Sequence, residues 1–117
     1  MKKLLYCILL VAAGHKGWTY WQARSVEPLE DRPYLVVYGR DSCGFTQGTL
    51  RALSSAGVSF RYLNVDDPVV ADSLHGRMKR KGIDTRYYYL PVVDLNNAIS
   101  IRPDNATLVA QAKAAVP

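Results

Sequence analysis

The chain has 117 residues, 49% of them hydrophobic, and carries a formal charge of +5. That leaves room for one domain of about 80 to 90 residues around a single core and none for a second. The positive excess does not point to nucleic acid, since Lys2 and Lys3 supply part of it. The one dense cluster, Arg77, Lys79, Arg80 and Lys81, lies at a predicted helix end, where basic side chains are expected to form a solvated face opposite the helix dipole.

Residues 1–21 open with Met1-Lys2-Lys3, continue through an apolar run from Leu4 to Val11, and reach the small residues Ala12-Ala13-Gly14. This is the pattern of a secretory signal, with the small residues as the cleavage point. The run is shorter than the about 17 to 25 residues of a membrane span, but Trp18, Tyr20 and Trp21 suit an interfacial anchor. A cleaved signal and an uncleaved inner-membrane tether are both open, and either puts the domain in the periplasm or on the extracytoplasmic face of the inner membrane. Cys7 falls inside this segment and is read as chemically idle; Tyr6 before it argues against a lipoprotein signal. Residues 22–33 are polar and acidic, lack either period, and are read as a linker to a domain over 34–117.

Residues 34–38 form an apolar run of strand length. A short polar loop follows, then Phe45, Leu50 and Leu53 at helical spacing. Cys43 falls at or just before the first helical residue. There, orphan backbone N–H groups and the positive end of the helix dipole favour thiolate over thiol, so the residue is a candidate nucleophile with a depressed pKa. Arg40, three residues earlier, adds a positive charge. An inert, buried cysteine is the commoner case in an arbitrary chain, but the polar neighbours Ser42 and Gly44 favour the reactive one.

A second strand is expected over 58–65 after Ala56-Gly57. Asp67 and Pro68 are a helix cap and a first helical residue, and the helix runs to Lys81 with Gly82 as its stop. His75 on this helix reads as a surface residue. Residues 87–95 read as a strand interrupted by Pro91, Asn96-Asn97 as a hairpin turn, and 98–101 as a short antiparallel strand. Asp104 or Asn105 caps a last helix over 106–115 with Leu108, Val109 and Ala112 inward. No metal-ligand spacing occurs in the chain.

Tyr38-Gly39-Arg40-Asp41-Ser42-Cys43-Gly44-Phe45-Thr46 resembles the active-site loop of the glutaredoxins, thioredoxin-fold proteins that exchange disulfides with glutathione. Cys-Gly-Phe-Thr is most similar to the one-cysteine branch, with Thr46 in place of a serine and Arg40 in place of a lysine. Leu90-Pro91 resembles the family's pair at a cis proline, where the backbone meets an extended thiol substrate. The implied fold is an α/β, thioredoxin-like sandwich of order βαβαββα with a four-stranded mixed sheet. Ile101 and Arg102 stand where the family has a glycine pair, and Asp104 matches its aspartate. Arg102-Pro103-Asp104 instead looks like the redoxins that serve ribonucleotide reductase, which bind glutathione poorly.

The resemblance implies a monothiol oxidoreductase. Cys43 is its nucleophile and glutathione its co-substrate, and protein or small-molecule disulfides are its partners. Arg40 would steady the thiolate and hold a carboxylate, Phe45 would line the site, and Thr46 would bond the sulfur. Leu90 and Pro91 would align the peptide, and Asp104 would take the amine. Side chains at Ile101 and Arg102 would crowd the tripeptide, against which Arg102 offers a bidentate contact to a carboxylate; the crowding is expected to win, so that glutathione binds weakly. The expected state is a monomer. One alternative is a carrier that bridges a [2Fe–2S] cluster in a dimer; another is an exported binding module with little redox activity.

Overall fold

The central strand, β1 (Leu35–Gly39), is buried along its whole length, as expected of a strand covered on both faces. The computed structural model describes residues 27–116, so the predicted export segment and the start of the linker lie outside the described residues. Side chains alternate along β1 and so feed two cores. Tyr34, Val36 and Tyr38 join Leu74, Met78 and Val92 on one face, while Leu35 and Val37 join Leu53, Val93, Leu108 and Ala112 on the other.

The remaining elements are α1 (Gly44–Ser55), β2 (Arg61–Asn64), α2 (Pro68–Arg80), β3 (Val92–Leu95), β4 (Ala98–Ile101) and α3 (Asn105–Ala115). The sheet order is β2-β1-β3-β4. β2 is parallel to β1, and the other two pairings are antiparallel. The two cores place α2 on one face of this mixed sheet and α1 and α3 on the other. The expected βαβαββα order is therefore present, and among the described residues no helix is long and apolar enough to cross a membrane.

Local chemistry sets the element ends. Gly57, at φ +71°, closes α1: its N–H bonds the carbonyl of Ser54 and the Val58 N–H reaches Leu53. Gly82, at φ +76°, does the same for α2 through Lys79 and Met78. This left-handed position after a helix is where glycine has no Cβ penalty. The Asp67 side chain accepts the Val69 N–H at 3.0 Å to start α2, and Asn96 and Asn97 turn the hairpin at positive φ.

Three expectations are corrected. The strand predicted over 87–95 is only Val92–Leu95, because Pro91 has no N–H to give the ladder and pairing with β1 begins at Val92, opposite Tyr38. The strand predicted over 58–65 is shortened to Arg61–Asn64, since Val58 still belongs to the helix-ending turn. The basic cluster on α2 is not a solvated face throughout. Arg77 is 5% exposed and pairs with fully buried Asp94 at 2.6 Å, while also bonding the Glu27 carbonyl and the Asn97 side chain. Asp94 further accepts from the Tyr34 hydroxyl and the Asn97 N–H.

This pair ties α2 to the hairpin and to residues 27–33. That stretch has neither helix nor strand, yet Leu29 packs on the α2-side core and its N–H bonds the Tyr34 hydroxyl. Removing one partner strands a buried charge. Arg77→Met is expected to lower stability by about 3–5 kcal/mol in urea unfolding; a loss no larger than that of an exposed pair, under about 1 kcal/mol, would contradict the structural role.

Candidate active site

The site is built on the end of β1. A Cβ added to Gly39 would stand 2.3 Å from Thr46 Cγ2 and 2.5 Å from its Oγ1, so a glycine is required for the first turn of α1 to lie against the strand. Thr46 is fully buried there. The loop between closes with the Cys43 N–H donating to the Arg40 carbonyl at 3.0 Å. Cys43 is the extended N-cap of α1, with φ −87° and ψ 116°, and no acidic residue lies in the helix's first turn to offset the dipole.

Cys43 is a half-buried free thiol, and its surroundings lower its pKa. The largest cause is a hydrogen bond from the Thr46 hydroxyl. Partial burial opposes it, and the N–H groups of Thr46 and Phe45 and the charge of Arg102 add to the lowering. Thr46 Oγ1 also lies 3.4 Å from the Arg40 N–H, which it accepts; a hydroxyl has one hydrogen, and it is left for the sulfur. The sulfur makes no formal capping bond to an N–H, so the two amides act on it by orientation and gain weight as it becomes charged.

Arg40 has a partner that the sequence reading did not give it. Its Nε is bound to Asp66 at 2.7 Å, and that bond is the main cause of its raised pKa, with Cys43 only a minor contributor. Asp66 follows β2, whose pairing of Gly39 with Asn64 brings it alongside the loop. Asp41, in the same loop, accepts from the Tyr62 hydroxyl at 2.8 Å. Burial, followed by that bond, pushes the Tyr62 pKa up to about 12.

The other wall comes from β3 and β4. Tyr38 opposite Val92 sets Pro91 beside the end of β1, and the Leu90–Pro91 bond is cis. Val92 opposite Ile101 brings the next residue, Arg102, to the same end of the sheet. Arg102 donates its backbone N–H to the Pro91 carbonyl at 2.8 Å and its Nε to the Leu90 carbonyl at 2.7 Å. Its guanidinium carbon lies 3.8 Å from the centre of the Phe45 ring and 4.6 Å from that of Tyr89. At φ +42° its backbone is in the left-handed region that glycine prefers. The chain thus keeps a glycine-like backbone there and adds a long cation.

Asp104 lies at the same end but is committed to α3, which it caps by accepting from the N–H and hydroxyl of Thr107 at 3.0 Å each. These bonds hold its carboxyl pKa low. An open depression of about 330 Å³ runs between the N-terminal ends of α1 and α3, lined by Gly44, Phe45, Gly48 and Thr49 from the first and by Arg102, Asp104 and Asn105 leading into the second.

The structure therefore gathers Cys43, Phe45, Thr46, Leu90, Pro91 and Arg102, sets Asp104 at the edge, and binds Arg40 to Asp66. Sequence reasoning missed Asp66 and Tyr89. Three successive tyrosines before Pro91, two of them left exposed, were the available signal for Tyr89. His75 is no plain surface residue: it is half-buried and its Nε2 lies 2.6 Å from the Tyr88 hydroxyl, which pins the loop ahead of Pro91 to α2. The carrier alternative asks for one thiolate from each of two chains, with glutathione as the other ligands, and Cys43 is the thiolate this chain would give; among the described residues no group of three or more ligating side chains could hold a metal within one chain.

A four-stranded mixed sheet with a cysteine at the N-terminus of α1 and a cis proline alongside is a glutaredoxin-like arrangement of the thioredoxin fold, and solved structures bear out the fold. The glutaredoxin-like NrdH-redoxin of Escherichia coli, described as having a thioredoxin-like activity profile, matches with a TM-score of 0.52 at 23% identity, over 67% of this chain and 92% of that one. A glutaredoxin (grx-1) from Archaeoglobus fulgidus matches with a TM-score of 0.51 at 21% identity, over 72% and 92%. No family model matches the sequence, and no curated protein does.

The Thr46 contact can be tested directly. In a Cys7→Ser background, which leaves Cys43 the only thiol, Thr46→Val keeps the shape and removes the hydroxyl. Because that hydroxyl favours the charged form, the pH profile of Cys43 alkylation should move to higher pH and the rate at neutral pH should fall. An unmoved profile would show that the hydroxyl does not act on the sulfur.

Proposed function

We propose that the protein is a thiol–disulfide oxidoreductase of glutaredoxin type that works through Cys43 alone. The observation that carries this reading is a half-exposed thiol whose ionisation is favoured by a hydroxyl, two amides and a cation, at the same end of the sheet as a cis proline. The Cys43 thiolate attacks one sulfur of a disulfide; a new S–S bond forms, the old one breaks, and the leaving sulfur departs with the electron pair and takes a proton from solvent. A second thiol, as its thiolate, then attacks the mixed disulfide on Cys43, releases the thiolate and carries away the first sulfur as a new disulfide. No net oxidant is consumed beyond the starting disulfide. Rates in such exchange depend on the thiolate fraction and on access, which the Thr46 bond and the open loop supply.

Glutathione is the proposed co-substrate, with the backbone at Leu90 and Pro91 aligning the attacked partner. All residues invoked come from one chain, so a monomer suffices. Lys2, Lys3 and the short apolar core support a site of action outside the cytosol, with the chain either free or tethered to the inner membrane.

The test is removal of glutathione from a glutathionylated peptide by the full chain with glutathione as reductant, followed by mass spectrometry. Turnover is expected in the wild type and in Cys7→Ser, and none above background in Cys43→Ser. Equal turnover in Cys43→Ser, or none in the wild type, would overturn the reading.

A further inference from the structure

We propose that Arg102 is the specificity-determining residue of this site and selects disulfides that carry a carboxylate close to the reacting sulfur. The inference rests on the exchange reaction above and names its substrate class. Arg102 is held on several sides: its backbone N–H on the Pro91 carbonyl, its Nε on the Leu90 carbonyl, and its guanidinium against the Phe45 and Tyr89 rings. Nε is engaged, and the two Nη groups form the fork that matches a carboxylate. Among the described residues no carboxylate pairs with it, whereas Arg40, three residues before Cys43, is paired with Asp66. The free positive charge at the site therefore belongs to Arg102, and its influence reaches the Cys43 sulfur.

A flexible arginine loses side-chain freedom when it binds, and one already fixed by stacking and a hydrogen bond loses less. The cation also lies beside Leu90 and Pro91, where an extended substrate is aligned, so a carboxylate reaching the fork belongs to a group near the disulfide. Two sources share this chemistry: a small carboxylate-bearing thiol such as glutathione, and a protein cysteine with an acidic neighbour.

The test measures second-order rate constants for Cys43 in a Cys7→Ser background with three small disulfides: anionic dithiodipropionate, neutral hydroxyethyl disulfide and cationic cystamine. Dividing by the neutral rate removes any change in the nucleophile itself. The anionic-to-neutral ratio is expected to fall about ten-fold in Arg102→Gln, to fall less in Arg102→Lys, which keeps the charge without the fork, and to stay unchanged in Lys113→Gln, an exposed charge at the far end of α3. An unchanged ratio in Arg102→Gln overturns the proposal. So does an equal fall in Lys113→Gln, which would mark a long-range field, and so does a common rise in all three rates, which would make the side chain a plug.

Two further arms separate the sources. Glutathione disulfide is compared with its carboxyl ester, and disulfide-linked peptides with glutamate beside the cysteine are compared with peptides bearing glutamine. An Arg102-dependent drop in the first arm assigns the small thiol, and one in the second assigns the acidic protein. Absence of Cys43-dependent exchange with every disulfide would instead remove the proposed function itself, an outcome distinct from intact exchange without charge preference.

Discussion

The site depends on a contact made where a side chain is missing. Gly39 ends the central strand, and Thr46, one turn into α1, fills the space a Cβ would take. This lets the helix start close against the sheet, with Cys43 as its N-cap and the Thr46 hydroxyl within reach of the sulfur. Glycine at this position is a matter of space, not of backbone freedom. A methyl there would push Thr46 away, and with it the largest contribution to thiolate stability. The packing of strand on helix and the chemistry of the cysteine are thus one constraint.

The second organising feature is the division of labour between two arginines. Arg40 is nearer in sequence to Cys43, but its charge is spent on Asp66, and so it fastens the loop to the end of β2. Arg102 is far away in sequence and is brought in by the β3–β4 hairpin, with its guanidinium over the faces of two aromatic rings. Stacking of this kind holds a cation without neutralising it, and this is the difference that matters beside a thiolate. On the opposite side of the sheet, the buried Arg77–Asp94 pair serves the fold instead. It joins α2, the hairpin turn and the Glu27 backbone.

Most of the architecture was legible in the sequence because its signals are local. The apolar run into Gly39, the glycines at 57 and 82, the Asp67-Pro68 start and the Asn96-Asn97 turn each act through the conformation of a few neighbouring residues. What escaped was set by distant partners. Arg77 was grouped with its basic neighbours, although its three-residue spacing from Leu74 puts it on the inner face of α2; its partner Asp94 sits inside an apolar strand and gave no sign of pairing. Asp66 reaches Arg40 only through the register of two parallel strands. The tyrosines before Pro91 resembled a strand by composition, while the ladder that would have made them one starts after the proline. Cys43, Thr46, Leu90 and Pro91 were readable as a site through a resemblance of motif. Tyr89 became part of it only once the hairpin delivered Arg102.

The central claim is that the fold favours the thiolate of Cys43 over its thiol relative to the unfolded chain. Its most direct measurement is the ultraviolet absorbance of the thiolate followed against pH in the folded Cys7→Ser protein, with Cys7→Ser/Cys43→Ser as the blank. The account predicts a single transition with a midpoint below the about 8.5 of an ordinary cysteine, which returns towards that value when the protein is unfolded in urea. A midpoint at or above that of the unfolded chain would contradict it.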